Sequence, residues 1–169
     1  MIKEVNRQYL EIKNLNTFSA VKKPSDQCEV SVIKEPDFQL NKFFYRQIGK
    51  KHRWIDRLSW NDSQWINYLN NPNVNTYVLK EGKDLIGYFE QIYEKYKKET
   101  EIAYFGILES YYGKKYGGFL LSEAIKNSFE KGSLRVWLHT CSLDHENALK
   151  NYLARGMIIF HSEKTSIEI

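Results

Sequence analysis

The segment EIAYFGILESYYGKKYGGFLLSEAI, Glu101 to Ile125, opens as a strand and closes as a helix. EIAYFGIL (101–108) is apolar on both faces, with Ile102 and Tyr104 on one side and Ala103, Phe105 and Ile107 on the other. That pattern predicts a strand in the middle of a sheet. Tyr116, Phe119, Leu120, Ala124, Ile125 and Phe129 then recur at helical spacing, and Gly132 ends the helix. Between the two lie Gly113, Gly117 and Gly118, with Lys114 and Lys115. A helix N-terminus presents unpaired N–H groups and the positive end of its dipole, and glycines let a ligand reach the backbone. Strand, glycine turn and helix therefore raise a phosphate-site hypothesis. The turn is neither a Walker loop, GxxxxGK(S/T), nor the dinucleotide fingerprint GxGxxG. The plainer reading, a tight turn that holds no ligand, stays open on the turn alone.

Outward from this segment, the chain reads as a succession of strands and helices. QYLEI (8–12) and CEVSVI (28–33) are strand candidates, separated by an irregular connection. FQLNKFFYRQIG (38–49) has helical spacing, and QWINYLN (64–70) reads as a second helix capped by Asn61 or Asp62. VNTYVLK (74–80) and DLIGYFEQIY (84–93) form a hairpin across Glu81-Gly82-Lys83. LRVWLHT (134–140) is a strand, and Asp144 is expected to cap a helix through HENALKNYLARG (145–156). MIIFHS (157–162) is a last strand, and the seven residues after it form a short edge strand or fray. This order predicts a mixed α/β fold in one domain over residues 1–169.

Composition narrows the class. With 42% hydrophobic and 27% charged residues the chain is of the folded type, and no window approaches the roughly 18 apolar residues of a membrane span. The start, MIKEVNRQYLEIK, lacks the marks of a signal peptide, so a cytoplasmic location and no membrane partner are expected. Cys28 and Cys141 make no disulfide framework. The net charge of +4 suits an anionic ligand but is not the basic stripe of a nucleic-acid binder. His139, Cys141 and His145, as H-x-C-x-x-x-H, match no standard zinc spacing, and no metal is expected.

The turn residues Tyr112-Gly113-Lys114-Lys115-Tyr116-Gly117 resemble the signature of the GNAT superfamily of acyl-CoA-dependent N-acyltransferases, Gln/Arg-x-x-Gly-x-Gly/Ala after a strand. The closing pattern of that family, a helix carrying Ala-x3-Tyr-x3-Gly-Phe/Met, is similar to Ala148, Tyr152, Gly156 and Met157. The likeness runs from about Val74 to His161, and NKFFYRQIG, RLSW and LHTCSLDH also look like one bacterial subgroup. Tyr112 departs from the usual Gln or Arg, Lys115 replaces the first signature glycine, and His145 stands where many members have a cofactor-contacting Asn. The resemblance implies a GNAT-like fold: a mixed, mostly antiparallel sheet flanked by helices. It also implies acetyl transfer from acetyl-CoA to a primary amine by direct attack in a ternary complex.

The resemblance also implies roles. Glu101 matches the general base of one branch of the family, with Glu90 as second candidate, and Tyr152 matches the general acid. Backbone amides at Phe105 and Ile107 would meet the acyl carbonyl and the pantetheine arm. Tyr112, Gly113, Lys114, Lys115, Gly117, Gly118 and His145 would hold the cofactor. The basic, aromatic loop 50–60, with Trp54, often walls the acceptor site in this family; Tyr45, Glu90 and His139 are further acceptor-side candidates, and Tyr77 and Tyr88 weaker ones. The plainer alternatives are a solvated Glu101, a core Tyr152 and a merely structural loop. Two rival functions are a catalytically silent CoA-binding sensor and a nucleic-acid module using loop 50–60. Members of the family often dimerise through sheet edges, so a homodimer is admitted.

Overall fold

In the computed structural model, which describes residues 1–168, the strand at the head of the opening segment runs Glu99–Ile107 (β5). It lies in the centre of one seven-stranded sheet. The chain order is β1 (Ile2–Ile12), β2 (Cys28–Val32), α1 (Phe38–Gly49), α2 (Asp62–Leu69), β3 (Val74–Glu81), β4 (Asp84–Glu94), β5, α3 (Tyr116–Glu130), β6 (Arg135–Cys141), α4 (Ala148–Ala154) and β7 (Ile158–Glu168). In space the strands follow β2-β3-β4-β5-β6-β1-β7. Every neighbouring pair is antiparallel except β5 with β6, which α3 joins as a parallel crossover.

The strict alternation expected of β5 is broken. Glu90 of β4 faces Tyr104 and Gln91 faces Ile102, so Ala103 is an extra residue in a bulge. Ile102 and Tyr104 consequently lie on opposite faces, not the same one. Ile102 and Ile107 join the main core under α3 with Leu10, Phe89, Leu120, Leu121, Ile125, Val136 and Leu138. Tyr104 packs on the smaller core under α1, with Phe44, Ile48, Val78 and Tyr88. Leu120, Leu121 and Ile125 are fully buried, each contributing about 1.5–3 kcal/mol of apolar burial.

Three further expectations are corrected. The first strand is longer than QYLEI, and it lies inside the sheet between two strands from the far end of the sequence. Its outer half, IKEVNRQ, carries one buried residue, Val5, so the apolar signal began late. The last residues form an edge strand rather than fray, but not a separate short one: β7 continues to Glu168 and pairs with β1 from Ile2 to Glu11, and only Ile169 lies outside the described residues. Asp144 does not cap a helix. Its carboxylate accepts from Thr140 Oγ1 at 2.5 Å and Cys141 N at 3.0 Å, closing a turn after β6, and α4 starts only at Ala148 with Asn147 as its N-cap. The cap of α2 is Asn61, in a reciprocal box with Gln64. Gly156, at φ +104°, ends the α4 segment where a Cβ would come within 2.1 Å of the Thr17 carbonyl oxygen.

Candidate active site

β5 and β6 pair only at Glu99–Arg135, Thr100–Val136 and Glu101–Trp137, then part. Beyond Glu101, the peptide groups of β5 that face away from β4 have no strand to meet, because each strand directs alternate residues to each neighbour. A cavity of about 570 Å³ fills the gap. Glu101 stands at its closed end, and Ala103, Phe105 and Ile107 of β5 line its wall. Tyr112, Gly113, Lys115, Gly117 and Gly118 line it from the turn, His139 and Cys141 from β6, and Tyr152 from α4.

The turn presents an open helix end. Its N-cap, Lys115, makes no side-chain cap bond, so the first N–H groups of α3 are left to a ligand or to solvent. A Cβ on Gly117 would meet Asn151 Nδ2 at 3.7 Å and Ile107 Cγ1 at 3.8 Å, ordinary contacts, so a methyl group would just fit there. Gly118 differs: a Cβ there would meet Arg155 Nη1 at 2.7 Å and Val21 Cγ2 at 2.8 Å, which makes it a packing glycine. Lys115 adopts φ +69°, the left-handed conformation that glycine takes without strain. Lys115→Gly is therefore expected to stabilise the fold by about 0.5–1 kcal/mol, the strain relieved less the extra chain entropy of glycine. An upward shift of the urea midpoint at unchanged slope would register it, and a downward shift would refute it.

Tyr112, in place of the usual amide or guanidinium, is held by histidines. Its hydroxyl lies 3.4 Å from His52 Nε2, and His52 Nδ1 is 3.3 Å from the Leu143 carbonyl. A neutral His52 that donates to Leu143 accepts from Tyr112. The Tyr112 ring also packs edge-on against His145, centroids 4.7 Å apart. His145 accepts the Asn147 N–H at Nδ1 and lines the same cavity.

Glu101 and Tyr152 have environments suited to proton transfer. Burial holds the Glu101 carboxyl above its ordinary pKa, and the charge of Arg57 pulls it partly back. Burial, reinforced by Asp144, pushes the Tyr152 hydroxyl well up, so it keeps its proton at neutral pH. Tyr152 packs edge-on against Phe105 at 6.4 Å. Burial also raises the Cys141 thiol, which disfavours a thiolate there.

Other candidates fall outside the cleft. Glu90 is fully buried on the α1 side, and both its oxygens accept from Arg57 Nη1, at 3.0 and 3.2 Å. It is an ion-pair partner and does not line the cavity. Tyr45 is buried, its hydroxyl accepting the Arg57 N–H at 3.0 Å, so it supports loop 50–60 from below. Tyr77 and Tyr88 are core residues. Lys114 is exposed and lies over the Tyr111 ring at 5.9 Å, not in the cavity. Trp54 does line the cavity, wedged edge-on against Tyr104 at 5.0 Å. Among the described residues no three His, Cys, Asp or Glu side chains gather as a metal site, and no helix is long and apolar enough to cross a membrane.

The polar lining residues Arg7, Asn147 and Asn151 went unmarked as site candidates in the sequence. Asn151 donates to the Gly117 carbonyl at 3.1 Å and so braces the first turn of α3 from α4. Its position one residue before Tyr152 was the available signal. Arg7 had none, since nothing local says that β1 borders the cleft.

Comparison with known proteins agrees with this geometry. A GCN5-related N-acetyltransferase from Sphaerobacter thermophilus superposes with a TM-score of 0.68 at 13% identity, over 96% of this chain and 50% of that one. This chain thus spans half the length of that protein. An aminoglycoside acetyltransferase from an uncultured soil metagenomic sample, in complex with trehalose, gives 0.64 at 17% identity, over 79% of this chain and 90% of that one. A GNAT family acetyltransferase from Streptococcus pneumoniae TIGR4 gives 0.57 at 17% identity, over 76% and 86%. No curated protein sequence matches the chain. The model of the acetyltransferase (GNAT) family matches residues 38–157. That match spans every element bordering the cleft except β1 and β7, and the chain belongs to the GNAT acetyltransferase family.

Proposed function

We propose that the protein transfers an acetyl group from acetyl-CoA to a primary amine by direct attack. The observation that carries this reading is the gathering of Glu101, Tyr152, the unpaired stretch of β5 and the open end of α3 around one cavity. The residues fit the cosubstrate. The bare backbone of Gly117 at the cavity wall and the uncapped N–H groups of α3 suit a pyrophosphate, with the Lys115 ammonium as a counter-charge. Bound acetyl-CoA supplies an activated acetyl thioester.

The chain's own groups do the rest. Glu101 takes a proton from the acceptor ammonium, a task helped by a carboxylate of raised proton affinity. Peptide N–H groups of β5 that face the cleft are donors for a carbonyl oxygen there. Tyr152 holds a proton to give to the departing sulfur. The raised Cys141 thiol argues against a covalent cysteine route.

Calorimetric titration with acetyl-CoA tests the reading. Wild type is expected to bind saturably, and Gly117→Trp, whose indole would crowd the mouth of α3, to bind at least tenfold more weakly. Thiol release across an amine panel then reports turnover. A folded wild type that binds no acetyl-CoA, or a Gly117→Trp variant that binds it equally, would refute the cofactor site. The second reading, a CoA-binding sensor without catalysis, rests on Lys115 and Tyr112 in the signature. Tight binding with no thiol release for any amine would favour it.

A further inference from the structure

The wall of the cleft beyond β6 is made by β1, which lies outside the family match. In the β1–β6 ladder Arg7 pairs with Cys141 and Tyr9 with His139. Arg7, Cys141 and His139 all line the cavity, so this face of β1 looks into it. Arg7 is poorly paired for a guanidinium in such a place. Its Nε is shielded from solvent without a hydrogen-bond partner. Its one ion-pair contact among the described residues, Nη1 to Glu163, is long at 3.9 Å. Glu163 is engaged elsewhere, accepting from Tyr9 Oη at 2.9 Å and facing His161 at 3.6 Å. Asp144, in the turn after β6, is committed to Thr140 and Cys141. The Arg7 side chain is 34% exposed, so its outer N–H groups face the cavity rather than the core, and a carboxylate matches that fork in two parallel bonds.

We propose that Arg7 is the specificity-determining residue of the acceptor site, and that the acceptor is an amine carrying a carboxylate several bonds away. This rests on the acetyl-transfer reading of the same cavity. The distance between the two ends follows from the ladder. Glu101 lies opposite Trp137 and Arg7 opposite Cys141, four residues farther along β6. Four residues of strand span about 13 Å, and β1 is one strand farther out. Glu101 at one end and Arg7 at the other therefore suit an ω-amino acid or the free N-terminus of a short peptide. They do not suit an α-amino acid whose two groups share one carbon.

The test reads binding of the acetylated product, so it depends neither on turnover nor on which residue is the base. The probes are 6-acetamidohexanoate and its neutral carboxamide, followed by ligand-observed NMR with and without CoA present. Wild type is expected to bind the acid at least tenfold more tightly than the amide. Arg7→Met should erase that preference while leaving amide binding unchanged. Glu163→Gln, which frees the guanidinium from its distant partner, should strengthen acid binding; a merely structural Arg7–Glu163 pair would not do so. Equal binding of acid and amide by wild type, a preference that survives Arg7→Met, or no binding of either would overturn the assignment. Failure of the cofactor site would show separately, in the acetyl-CoA titration.

Discussion

Replacing Arg57 with methionine is expected to destabilise the protein by about 3–5 kcal/mol, the usual cost of stranding one member of a buried ion pair. Arg57 is 6% exposed and Glu90 is fully buried. Five rings surround the guanidinium, with Tyr104 at 4.0 Å, Tyr68 at 4.1 Å and Trp60 at 4.7 Å, and with Trp65 and Tyr45 within 6 Å. Burial works against its charge, but the Glu90 carboxylate together with Tyr68 and Tyr104 more than offsets this and holds the guanidinium pKa above its ordinary value. Methionine keeps the packing volume and leaves Glu90 as an unpaired charge among aromatic rings. For a chain of this size each kcal/mol moves the melting temperature by about 2–4 °C, so a fall of about 10 °C is expected. Glu90→Gln should cost somewhat less, since the amide oxygen still accepts one bond. The double variant Arg57→Met/Glu90→Leu should recover much of the loss, because neither charge is then stranded. Calorimetric melting of the three variants checks this; single substitutions costing under about 1 kcal/mol would mean that water reaches the pair.

Glu101→Gln is expected to lower kcat/KM by about 10²–10⁴, the range of general-base catalysis, with acetyl-CoA binding unchanged. The same substitution should act on stability in the opposite direction. The folded protein holds the Glu101 proton more tightly than the unfolded chain does, because burial raises the carboxyl pKa. Stability from this group therefore falls as pH rises from the unfolded value through the folded one, and near neutral pH the full penalty is present. Glutamine removes that penalty. Chemical denaturation should find the variant slightly more stable than wild type at about pH 7, with the gap closing below about pH 4. A variant that keeps full activity would leave Glu101 as a wall residue only. One that loses activity and is also less stable near neutral pH would contradict the cost of its burial.

Most elements were legible because their signals are local. The α1 stripe, the hairpin at Gly82 and the glycine turn are each set by residues within a few positions of one another. The misreadings share the opposite property. Ala103 is one residue too many only with respect to Glu90 and Gln91, and no periodicity within β5 reveals a bulge that its partner strand creates. Glu90 looked like a free carboxylate because its counter-ion is 33 residues away. Asp144 carries the signal of a helix cap and of a strand-end turn alike, and only the Thr140 hydroxyl decided between them. On the cofactor side of the candidate site the glycines and Tyr152 stood out in the sequence. On the acceptor side Arg7 did not, because its strand is polar and finds its place through partners more than a hundred residues distant.

The position of β1 has a kinetic consequence. A strand from the beginning of this sequence is clasped between two from its end, with Gln8 paired to Thr140 on one side and to Ser162 on the other. Closing loops of that length costs entropy before any contact is gained, so this ladder is expected to form late, after the local β3–β5 meander. Until it forms, the proposed acceptor wall does not exist, and the cleft has one side missing. Refolding from denaturant should therefore restore acetyl-CoA binding before it restores discrimination among acceptors, and that order in time would be the signature of a site assembled from the two ends of its chain.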